Sequence, residues 1–68
     1  MKYYVLRKNE YYLSDITVNE ENKLVNFAVD IDYRKLYYDY ELAEEDKKLI
    51  FIETGLNFEI EVLKNENK

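Results

Sequence analysis

Neither a cysteine nor a histidine occurs among the 68 residues. The chain therefore has no disulfide and no zinc site of the usual kinds to hold a small fold together. A domain of this length buries only about 60% of the surface its unfolded chain exposes. A core that small supplies on the order of 3–5 kcal/mol. Two devices remain: a compact aromatic core, or association with another chain. Eight tyrosines and three phenylalanines supply the aromatic material. Six of the tyrosines stand in doublets, Tyr3-Tyr4, Tyr11-Tyr12 and Tyr37-Tyr38. In an extended strand a doublet puts one ring on each face.

Strand patterns come first along the chain. KYYVLR (2–7) is rich in β-formers, with Tyr4 and Leu6 on one face and Tyr3 and Val5 on the other. Lys8-Asn9-Glu10 reads as a turn. YYLSDITV (11–18) reads as a second strand, with Tyr12, Ser14, Ile16 and Val18 sharing a face. Asn19-Glu20-Glu21-Asn22 is a loop of turn formers. LVNFAVD (24–30) gives a third strand, with Val25, Phe27 and Val29 pointing one way. NFEIEV (57–62) alternates, with Phe58, Ile60 and Val62 inward and Glu59 and Glu61 outward.

Residues 39–55, DYELAEEDKKLIFIETG, carry signals for two structures. A helix over 40–54 would use Asp39 as N-cap, acids near its positive end and Gly55 as the left-handed terminator. Glu44 precedes Lys48 by four residues, the favourable order for an ion pair. Leu42, Leu49 and Ile50 share a helical face, with Asp46 and Glu53 inside it. The alternative is a hairpin around Thr54-Gly55. The helix reading gives an α+β domain: a small four-stranded antiparallel sheet, β-β-β-α-β, with one helix on one face. The hairpin reading gives an all-β meander or barrel, with 47–63 as the hairpin. Residues 1–63 form one domain in either case, and 64–68 a frayed tail.

Charge and motif content remove several chemistries. The net charge is −5. Residues 1–35 hold six basic and six acidic side chains, so the whole excess falls in residues 36–68. Direct binding of nucleic acid by a basic surface is disfavoured. One glycine cannot make a phosphate loop. Ser14, Thr17 and Thr54 have no partner base in view. Asp30-x-Asp32 and Glu44-Glu45-Asp46 are paired carboxylates, but a glycosidase pair needs a cleft. DIDYRK begins like a calcium loop and fails at Arg34 and Lys35. No enzyme, cofactor or metal is expected. No apolar stretch reaches the length of a membrane span. Arg7 and Lys8 interrupt any signal-peptide core, so a cytoplasmic location is expected.

Two features point towards binding. Tyr3, Tyr11 and Tyr37 form an exposed aromatic patch if the inner ring of each doublet packs in the core; otherwise the outer rings only cover a thin sheet. Asp39, Glu41, Glu44, Glu45 and Asp46 fall within eight residues, with Glu53, Glu59 and Glu61 as further acids. Carboxylates along a surface can imitate phosphates and occupy a basic groove. The same acids also suit helix capping and solubility. Tyr37 and Tyr40 flank the cluster and complete the candidate contact set.

The stretches YYVLRKNEYYLSDI, KLYYDYELAEED and ETGLNFEIEV resemble a loose group of short proteins encoded by phages and prophages of low-G+C bacteria. The abundance of Lys, Asn, Ile, Tyr and Glu, which have A/T-rich codons, fits such a source. The resemblance implies three strands, a helix and a last strand over most of the chain, and no catalytic residues. LIFI (49–52) departs from it, since a more polar helix belongs there. The leading expectation is a small acidic inhibitor of a host nucleic-acid-handling or defence protein, such as a nuclease, acting by DNA mimicry. The alternative is a non-enzymatic assembly protein that forms a homodimer through its tyrosine faces.

Overall fold

The computed structural model describes residues 2–22 and 24–64. The chain runs β1 (Lys2–Lys8), β2 (Tyr11–Asn19), β3 (Leu24–Asp30), α1 (Tyr40–Thr54) and β4 (Glu59–Lys64). The strands form one antiparallel sheet in the order β3-β2-β1-β4. The helix packs on one face of it, giving the α+β fold. Lys64 closes β4 opposite Lys2; the rest of the expected frayed tail lies outside the described residues.

Local chemistry sets the turns. Asn9 takes the left-handed conformation at φ 57° between β1 and β2, which Asn tolerates better than most residues. In the next loop Asn19 Oδ1 accepts from the Glu21 and Asn22 amides, and Asn22 Oδ1 accepts from Leu24. After β3, Asp30 Oδ1 accepts from the amides of Asp32 (2.7 Å) and Tyr33 (3.1 Å). Those bonds hold the Asp30 carboxyl below the usual aspartate range. The Asp30 carboxylate and the Asp32 amide thus build a turn.

Helix α1 occupies residues 40–54, so the hairpin alternative is not adopted. Asp39 is the N-cap and accepts from the Glu41 amide at 2.9 Å. Gly55 stops the helix at φ 81°, its N–H donating to the Phe51 carbonyl. Thr54 Oγ1 donates to the Ile50 carbonyl and accepts from the Leu56 amide. The inward seam is Ala43, Asp46 and Ile50, not Leu42, Leu49 and Ile50. Ala43 and Ile50 are buried, whereas Leu42 is exposed. With the helix turned this way, Asp46 accepts a hydrogen bond from the Tyr37 hydroxyl. The expected Glu44–Lys48 pair does not form; the one salt bridge among the described residues is Arg7–Glu61, at 3.8 Å.

The core joins Leu6, Leu13, Tyr37, Ala43, Ile50 and Phe58. Leu13 breaks the alternation read from sequence. A bulge between Leu13 and Asp15 lets both Leu13 and Ile16 face inward, while Tyr12 turns to the outer face. Tyr12, Ser14, Ile16 and Val18 therefore do not share one face. β1 and β2 pair at Arg7↔Tyr12 and Lys8↔Tyr11. Residues 35–37 supply the next backbone partners to both strands. Lys35 N–H donates to the Leu13 carbonyl, and Tyr37 exchanges two bonds with Tyr4, at 2.7 and 2.8 Å. This inserted segment carries Tyr37 into the core.

Candidate functional site

The structure disperses the tyrosines expected to form one patch. Tyr37 is 4% exposed and is not a surface contact residue. It is drawn inward by its backbone bridge to Tyr4 and by its 2.5 Å hydrogen bond to Asp46 Oδ2. Burial, then the Asp46 acceptor and its charge, push the Tyr37 hydroxyl well above the ordinary tyrosine range. Tyr3 lies on the outer face, its ring 6.2 Å from that of Tyr38. Tyr11 is on the helix side, where it lines a hollow of about 200 Å³ with Lys8, Phe27, Val29, Leu56 and Phe58. Tyr3, Tyr11 and Tyr37 thus occupy three separate places. Tyr40 is exposed and packs edge-on against Tyr4 at 5.5 Å. Sequence reasoning did not single out Tyr33 and Tyr38, the most exposed rings. Their exposure depends on the path of residues 31–38, for which no periodicity speaks.

The acids are also divided. Asp39 caps the helix, and Asp46 serves Tyr37. Glu41 and Glu45 are exposed, and Glu44 is half-buried. Helical spacing sets Lys48 among these three, since it follows Glu44 by four residues and Glu45 by three. Glu59 and Glu61 stand opposite Arg7 and Val5 in the strand register. They therefore face away from the helix. No single line of carboxylates joins the helix to β4.

A different surface is assembled instead. Among the described residues β3 is an edge strand, unpaired on the side away from β2. Its inward row, Val25, Phe27 and Val29, continues across β2 through Val18↔Val25, Ile16↔Phe27 and Leu13↔Val29. Val25 and Phe27 are partly buried against the core, but Val18 and Val29 of this row stay exposed, as does Leu24 on the opposite face of the strand. A second hollow, of about 370 Å³, lies where the inserted segment meets the helix. Leu36, Tyr38, Leu42 and Asp46 are among the residues lining it.

Among the described residues no group of His, Cys, Asp and Glu is arranged to hold a metal ion, and no helix is long and apolar enough to cross a membrane. Of the hydroxyl groups considered from sequence, Thr54 is engaged with the helix end. Comparison with protein-family models, with curated proteins and with solved structures finds no match.

Proposed function

We propose that this protein is a non-enzymatic assembly protein that works by self-association through the β2–β3 side of its sheet. The observation that carries the reading is the difference between the two sheet edges. β4 also exposes Val62 but carries Glu59, Glu61 and Lys64, the charges with which edges are usually kept apart. β3 carries a single charge, at Asp30, and exposed Leu24 and Val29.

Shape supports the same reading. The radius of gyration is 12.3 Å, against about 11 Å for a compact chain of this length. An elongated molecule keeps more apolar surface in water, and a second copy would cover it and add stability by mass action. The proposed setting is the cytoplasm, that of the host cell if the chain is phage-encoded. Sedimentation equilibrium from micromolar to millimolar protein is expected to show an average mass rising above the monomer's. A constant monomer mass over the whole range would contradict the reading.

A second reading has its own observation. Glu41 and Glu45 are exposed and form no salt bridge among the described residues. With Glu44 they give α1 an acidic outer side. In this proposal that side occupies the basic surface of a host nucleic-acid-handling or defence protein. It ranks second because Asp39 and Asp46 serve the fold and Glu59 and Glu61 lie on the other face of the sheet.

A further inference from the structure

We infer that β3 is the seam of a twofold dimer. Leu24–Asp30 of two copies pair antiparallel about Phe27 and join two four-stranded sheets into one of eight strands. The inference rests on the self-association reading and adds to it the strand, the register and the symmetry.

The backbone supplies the first argument. An edge strand shows a row of unpaired N–H and C=O groups, and proteins usually blunt it with Lys, Pro, a bulge or short length. β3 has seven residues, neither Lys nor Pro, and an unbroken register from Leu24 to Ala28; the bulged residue is on β2.

The side-chain pattern supplies the register. Two sheets merge with their helices on the same side only if inward residues face inward residues across the seam. A twofold axis at Phe27 does this and uses the whole strand. Phe27 meets Phe27 of the second copy, Val25 meets Val29, Asn26 meets Ala28, and Leu24 meets Asp30. Two aliphatic pairs and one aromatic pair then lie on the core side, the kind of cross-strand contact that stabilises a sheet.

The strand's match to itself selects a second copy as the occupant: about Phe27 each inward residue meets an inward one and no like charges meet. Each chain is −5, yet residues 1–35 carry equal numbers of acids and bases. Two copies meeting through β3 set no like charges against each other, because Asp30 meets Leu24. The seam's one charge, Asp30, is already engaged by the amides of Asp32 and Tyr33.

Two double variants test the register. Asn26 and Ala28 are exposed, opposite Thr17 and Asp15 of the same chain. Asn26→Lys with Ala28→Lys leaves the monomer's sheet intact, because the new lysine at position 28 stands opposite Asp15. Across the seam it sets lysine against lysine twice, and the dimer dissociation constant is expected to rise about tenfold or more. Asn26→Glu with Ala28→Lys sets opposite charges there, and its dissociation constant is expected to match the wild type or fall below it. Sedimentation measures all three proteins, and circular dichroism confirms that each is folded. A dimer equally tight in all three would overturn the β3 seam and leave self-association standing. Equal weakening in both variants would overturn the register. A wild-type monomer at every concentration would overturn this inference and the reading beneath it.

Discussion

Tyr37→Ala is expected to leave the chain largely unfolded at room temperature. Removing a buried aromatic ring typically costs about 3–5 kcal/mol, and a domain this small holds only about that much. Tyr37 is in the six-residue core, and its hydroxyl satisfies Asp46 on the helix. Its backbone meanwhile bridges to β1. One residue therefore ties the inserted segment, the helix and the sheet together. Tyr37→Phe keeps the ring and loses the hydroxyl, and should cost about 1.5–3 kcal/mol for a hydrogen bond to a charged group.

Tyr37→Phe also differs from wild type in alkali. The folded state holds the Tyr37 hydroxyl protonated far above its ordinary range, whereas an unfolded tyrosine ionises near pH 10. The Tyr37 contribution is thus fully present below about pH 10 and is lost as pH rises beyond it. Tyr37→Phe removes that component, so denaturation midpoints of the two proteins should converge above pH 10. A denaturant midpoint unchanged by Tyr37→Ala would refute the core assignment.

Leu13→Ala carries the second large effect. Leu13 is fully buried, and truncating a buried leucine costs about 2–5 kcal/mol. Plain alternation from Tyr12 would turn Leu13 to solvent and put Ser14 inside. On that pattern Leu13→Ala would cost little. With the bulge, Leu13→Ala is the damaging change, and Ser14→Ala should stay within about 0.5 kcal/mol of wild type. Urea denaturation of the two variants decides between these patterns, since the order of their midpoints reverses.

The contrast shows what was legible in the residues. Asp39 and Gly55 are chemically specific end signals, and they bound the helix at 40–54 as observed. Alternation in 24–30 and 57–62 identified the faces of β3 and the inward position of Phe58, because those strands are regular. The bulge on β2 was not legible: one extra residue shifts the phase without any glycine to mark it. The insertion of 35–37 was not legible either, since a long-range backbone bridge leaves no local pattern. For the same reason Asp46 looked like a fault in the helix's apolar face, although it is the acceptor for Tyr37. The tyrosine doublets did place rings on opposite sides, with Tyr4 and Tyr37 towards the core and Tyr3 and Tyr38 tilted against each other outside. Which ring of Tyr11-Tyr12 faces the helix followed the bulge and could not be read.

The proposed working surface is the β3 edge, whose one charge is Asp30, and not the acidic side of the helix. Backbone amide shifts of the isotopically labelled wild-type protein, recorded from micromolar to millimolar concentration, test it residue by residue. The account predicts concentration-dependent changes concentrated in Leu24–Asp30, with Glu41–Lys48 unmoved. Spectra that stay constant, or changes confined to Glu41–Lys48, would contradict it.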